Sequence, residues 1–203
     1  FHVTGVQTCA LPICPNYPVA FNTRGMAYPA KGETDRAIQD LDQAVRLDSK
    51  FAVAHNNRGE LFLGKRDLER AIADFDQALK LDPKNVAAYT YRGNSLYAKG
   101  DYDRAIADFD QSIKFNPNNA NAWYERGLAY RDKGQSDRAI ADFDQAIKLD
   151  GKFASAFASR GLAYSNKRDY TRALSDLDNA LRLDPRASGA FHDRGLVHMA
   201  RGD

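Results

Sequence analysis

One fourteen-residue string comes back five times in this chain, and its spacing limits the fold more than any other feature. It reads DRAIADFDQAIKLD from Asp137, DRAIADFDQSIKFN from Asp103, ERAIADFDQALKLD from Glu69, DRAIQDLDQAVRLD from Asp35 and TRALSDLDNALRLD from Thr171. Successive starts lie 34 residues apart. A fixed period of that size marks an array of small units, each leaning on its neighbours. At about 100° per residue, Ala139, Ile140, Phe143, Ala146 and Ile147 fall on one stripe, the signature of an amphipathic helix. Every copy therefore holds a helix with one face that needs covering.

Charge narrows the partners. Lys and Arg total 29 against 27 Asp and Glu, a net charge of +2, with both signs interspersed. Such a mixture gives no long-range field to steer nucleic acid or anionic lipid. No run of about 18 apolar residues suggests a membrane span.

The first fourteen residues fall outside the pattern. Residues 3–13, VTGVQTCALPI, resemble the translation of a common sequencing adapter and are set aside as a non-native, irregular segment. Pro12, Pro15 and Pro18 and the lack of a basic start argue against a signal peptide. Cys9 and Cys14 sit in or beside that segment, so no disulfide, metal site or compartment is read from them. The repeat pattern starts at residue 15 and stops partway through a repeat at residue 203, as if a longer array had been cut at both ends. Localisation stays open, with the cytoplasm slightly favoured.

The pairs Arg24-Gly25, Arg58-Gly59, Arg92-Gly93, Arg126-Gly127, Arg160-Gly161 and Arg194-Gly195 set the frame. Repeats run over 18–51, 52–85, 86–119, 120–153 and 154–187, with a partial sixth at 188–203. In the fourth, a first helix is expected over residues 121–132 behind an N-cap at Asn119. Ala122, Trp123, Gly127 and Tyr130 share its inner face. Gly134 suits a left-handed C-cap, and the repeated string supplies the second helix. Asp82-Pro83 and Asp184-Pro185 stop that helix in two copies. Gly151 and Ser49 stand at the proline position elsewhere and predict softer stops. Pro29 in the first repeat is expected to cost its first helix a hydrogen bond. Arg66 and Arg168 replace the turn glycine and should be slightly strained.

Trp123, Gly127, Tyr130, Ala139, Phe143 and Ala146, and likewise His55, Gly59, Phe62, Ala71, Phe75, Ala78 and Pro83, resemble the tetratricopeptide repeat. The resemblance covers residues 15–203 without an insertion. It implies an all-α fold, a right-handed α-solenoid of helix-turn-helix repeats. The family's usual Leu before the glycine is Arg in all six copies. A charge near an apolar face must be paired, so Arg126 is expected to meet Asp142 or Asp144, or Asp108 or Asp110 of the preceding repeat. Phosphate binding by the arginine row is the weaker alternative, because those aspartates compete.

Nothing in the chain reads as an enzyme centre. The Asp-x-Asp pairs (Asp74/Asp76, Asp108/Asp110, Asp142/Asp144) lie about 200° apart on a helix and cannot grip one ion. Asp144–Lys148 reads as a surface i,i+4 pair. His55, His192 and His198 have no zinc-site spacing and read as core or edge residues. No nucleophile–base set, phosphate loop or cofactor fingerprint occurs; no cofactor or metal is expected.

The resemblance also implies that the first helices line a concave groove that holds peptides or partner segments. On this chain that face comprises Asn56, Asn57, Glu60, Thr90, Tyr91, Asn94, Tyr97, Tyr124, Glu125, Leu128 and Arg131. Tyrosines and asparagines offer apolar area with adaptable hydrogen bonds. The family's clamp for acidic chaperone tails is not matched: only Asn57 fits, and Glu125 stands where a cation is needed. The expected function is a protein–protein interaction scaffold. The alternative is a substrate-recruiting or regulatory region of a larger enzyme. RNA binding, suggested by the similar build of pentatricopeptide arrays, ranks lower because those run at about 35 residues and are more basic. Uncapped ends add an expectation of self-association.

Overall fold

The computed structural model describes residues 17–29 and 32–202. The adapter-like segment, with Cys9, Cys14, Pro12 and Pro15, lies outside them. Among the described residues there are eleven helices, packed as sequential pairs. They fall into two compact units, one reaching Pro83 and one starting at Lys84.

The first unit holds α1 (Pro18–Ala27), α2 (Thr34–Leu47), α3 (Ala52–Gly64) and α4 (Leu68–Leu81). Its core sets small residues against large ones. Ala37, Leu41, Ala44, Ala54 and Leu61 cluster under Phe21, Ile38 and Phe51, and Phe75 is fully buried. Pro29 does not lie in the last turn of its helix. Instead α1 stops at Ala27, short of it, because proline offers no N–H and clashes with the preceding turn. His55 is a core histidine: Nδ1 lies 3.2 Å from Asp74 Oδ1 and Nε2 3.2 Å from the Ser49 carbonyl.

The second unit holds α5 (Val86–Ala98), α6 (Tyr102–Phe115), α7 (Ala120–Asp132), α8 (Ser136–Leu149), α9 (Ala154–Asn166), α10 (Tyr170–Leu183) and α11 (Ser188–Arg201). The even-numbered helices carry the repeated string, and its stripe is the buried face: Ala139, Phe143 and Ala146 have no exposure. A Cβ on Gly127 would stand 2.6 Å from the Phe143 ring, and one on Gly93 2.7 Å from Phe109. Only glycine lets the two helices approach that closely.

Asn119 caps α7, its side chain accepting from Asn121 N–H at 3.2 Å. Gly134 closes the turn at φ 74°, while the Gln135 N–H reaches back to the Tyr130 carbonyl at 2.9 Å, a Schellman closure. Arg66 and Arg168 keep the same left-handed geometry at φ 59° and 62°. The stops at Ser49 and Gly151 are not soft. Asp48 and Asp150 take an extended backbone like Asp184 before Pro185, and each carboxylate accepts the N–H two residues on at 2.9–3.0 Å. The aspartate, not the proline, turns the chain.

Arg126 is paired twice. Nε and Nη2 grip both oxygens of Asp142 at 2.8 and 2.6 Å, and Nη1 reaches Asp110 of the preceding repeat at 2.6 Å. Burial works against its charge, but the two carboxylates outweigh that and raise its pKa. Arg24, Arg58, Arg92 and Arg160 grip Asp40, Asp74, Asp108 and Asp176 in the same way. Asp144 is taken by Arg160 at 2.6 Å, so the Asp144–Lys148 reading gives way to a tie between repeats. Trp123 is not a core filler: it is half-buried, donates to the Pro117 carbonyl at 2.9 Å and stacks over Arg126 at 4.8 Å.

Candidate partner-binding groove

The odd-numbered helices carry the eleven residues expected on the groove face, and the structure divides them. In the first unit Asn56 is buried, with an Oδ1 that accepts no hydrogen bond among the described residues. Asn57 donates to Asn22 Oδ1 at 2.9 Å, and Glu60 is half-buried. Of the three, only Asn56 is buried.

In the second unit Thr90, Tyr91, Asn94 and Glu125 come together. With Val86, Ala87, Asn119 and Asn121 they line a cleft of about 510 Å³ between α5 and α7. Asn94 Oδ1 is buried without a hydrogen-bond partner among the described residues. Burial alone pushes the Glu125 carboxyl up from its ordinary value; no cation among the described residues opposes it.

The other four do not share that cleft. Tyr97 donates to Asp132 Oδ2 at 2.5 Å, and Arg131 Nε donates to Asp132 Oδ1 at 2.8 Å. Burial, with the Asp132 hydrogen bond, raises the Tyr97 pKa. These residues lock α5 to α7. Leu128 packs on the Ala139, Phe143 and Ala163 core, so its place on an open face is corrected. Tyr124 is half-buried, its ring 4.8 Å from Phe153 and 5.8 Å from Phe143, and it reaches a second cleft. Helical angles alone placed Leu128 outward; packing on its neighbours half-covers it.

A second cleft, of about 230 Å³, opens between α9 and α11, with Ser155, Ala158, Ser159, Leu162 and Asp193 in its lining. None of these five was expected from the sequence. Column reading would have found Asp193, because residues 34 apart from Asn57 run Tyr91, Glu125, Ser159, Asp193.

Among the described residues no cluster suited to a metal ion occurs, and no helix is long and apolar enough to cross a membrane.

The chain resembles several solved structures. One is YrrB, a TPR protein with an unusual peptide-binding site, at 24% identity and TM-score 0.75, covering 89% of this chain and 93% of that one. MamA from Desulfovibrio magneticus RS-1 aligns at 22% identity and TM-score 0.77, covering 84% of this chain and 97% of that one. The APC/C hetero-tetramer Cut9-Hcn1 aligns at 20% identity and TM-score 0.78, covering 93% of this chain and 38% of that one. No match was found among curated proteins. Tetratricopeptide repeat family models match residues 22–86 and 159–203, 120–153, and 75–107, and a TPR repeat model matches 93–134. With helix pairs, left-handed turns and glycine–phenylalanine contacts recurring in one frame, the chain belongs to the tetratricopeptide repeat family.

Proposed function

We propose that the second unit binds a protein segment along the face where its odd-numbered helices meet. The repeat is generically a protein–protein interaction module. The observation that carries the reading is the pair of clefts between neighbouring first helices, lined by residues that vary while the core stays fixed. The similar YrrB has a peptide-binding site, and Cut9-Hcn1 is an assembly of subunits.

Tyr124 is a poor probe, because its removal would leave a void beside Phe143. Tyr91→Ala combined with Ser155→Arg tests the face instead: one loses apolar area, the other adds bulk at an exposed position. Binding to an array of unstructured peptides should fall by about tenfold or more, with helicity by circular dichroism unchanged. Ala107→Arg, on an exposed outer position, should bind as the parent does. Equal loss in both variants would place the partner elsewhere.

A second copy of the chain is a further partner this surface supports. On α11, Phe191 and Leu196 are 49% exposed and Met199 75%, a concentration of apolar side chains that invites association. Sedimentation should show growth with concentration, reduced by Leu196→Lys with Met199→Lys.

A further inference from the structure

The two clefts are one feature repeated. Numbered within their repeats, both are walled by positions 1, 2, 5, 6 and 9 of one first helix and by the equivalents of positions 2 and 6 on the next. In the first cleft these are Val86, Ala87, Thr90, Tyr91 and Asn94, then Asn121 and Glu125. In the second they are Ala154, Ser155, Ala158, Ser159 and Leu162, then Gly189 and Asp193. Each cleft thus ends on a carboxylate in the same register. Neither Glu125 nor Asp193 has a hydrogen bond or ion pair among the described residues.

The copy between them is filled. Position 5 there is Tyr124, where the open clefts have Thr90 and Ala158; its ring lies tilted against Phe153, its hydroxyl lies 3.5 Å from Ser159 Oγ, and it reaches the rim of the second cleft. The second unit therefore alternates an open acidic cleft, a plugged site and an open acidic cleft. Almost every other internal carboxylate of the repeat is spoken for: Asp108, Asp110, Asp142, Asp144 and Asp176 are all held by arginine. Among the described residues of the second unit, Glu125 and Asp193 are the partly buried acids that lack such a partner. Burial acts on the unpartnered Glu125 carboxylate, which costs stability, and the orphan Asn94 Oδ1 on the first wall adds a second unmet acceptor. Both need a donor from outside.

Resting on the groove reading, we propose that the occupant is an extended protein segment with two Lys or Arg side chains, one for Glu125 and one for Asp193. Charge complementarity selects the sign, and the repeat geometry selects the spacing. Two steps between packed helices span roughly 16–20 Å, which an extended chain covers in about five or six residues. The tilted Tyr124–Phe153 pair between them leaves the stretch between the two cations on a flatter surface.

The test uses the full chain and an array of randomised peptides of about twelve residues, long enough to cover both clefts. Retained peptides should carry two basic residues about five or six positions apart, and binding should weaken as salt is raised. Glu125→Gln with Asp193→Asn should lower affinity for those peptides by about tenfold or more. The same variant should melt no lower than the parent, because it removes unpaired charge and leaves the packing alone. Retained peptides without a basic pair, or unchanged affinity in the double variant, would overturn this inference while leaving the groove reading in place if Tyr91→Ala still weakens them. An array that retains nothing sinks both.

Discussion

Arg126 and Asp142 show what a single side chain does here. The Asp142 side chain is 6% exposed and lies under a guanidinium that is itself mostly covered. Truncation to Arg126→Ala leaves that carboxylate desolvated and unpaired, a cost of about 3–5 kcal/mol. Replacing both partners by apolar residues, Arg126→Met with Asp142→Leu, removes the unpaired charge and should bring stability back to near the parent level. Urea titration of the three variants decides it, and a harmless Arg126→Ala would make the pair ornamental. That the arginine must be paired was legible, since it sits near an apolar stripe. Its choice of Asp142 and Asp110 together was not, because a helical wheel gives angles within one helix and says nothing about reach between repeats. The same limit put Leu128 on an open face.

At the scale of the element, the turn between paired helices is the sensitive point. Gly100 and Gly134 reach φ 81° and 74° without strain, whereas Arg66 and Arg168 are forced to 59° and 62° by the same closure. A left-handed residue with a side chain costs about 1–2 kcal/mol, and glycine returns part of that gain through its looser unfolded state. Arg168→Gly should therefore stabilise by roughly 0.5–1 kcal/mol, visible as a higher melting temperature. A lower one would mean the exposed Arg168 side chain earns its place by contacts. This turn was readable by aligning Arg168 with Gly134. The helix stops were misread, because attention went to the absent proline and not to Asp48 and Asp150, whose carboxylates already fold back on the chain.

For the whole molecule, the period announced the architecture, but a string repeated almost unchanged gives no hint of how the helices group into units. The division after Pro83 was for that reason invisible in the sequence. It bears on how the chain unfolds. In a repeat array stability is close to a sum of local units and their nearest interfaces, so a cavity should be felt near where it is made. Phe75 and Phe109 are equivalent and both fully buried, and each change to alanine costs about 3–5 kcal/mol. They differ in address: Phe75 is in the first unit, and Phe109 is in the second, on the helix that packs against α7. The chain's one tryptophan, Trp123, is on α7, so its fluorescence watches the second unit while circular dichroism watches all the helices. Phe109→Ala should move the fluorescence transition to lower denaturant. Phe75→Ala should move the circular dichroism curve but shift fluorescence less, so that the two probes separate. Coincident curves for both variants would show instead that the chain melts as one block, and that nearest-neighbour coupling reaches through every repeat with undiminished strength.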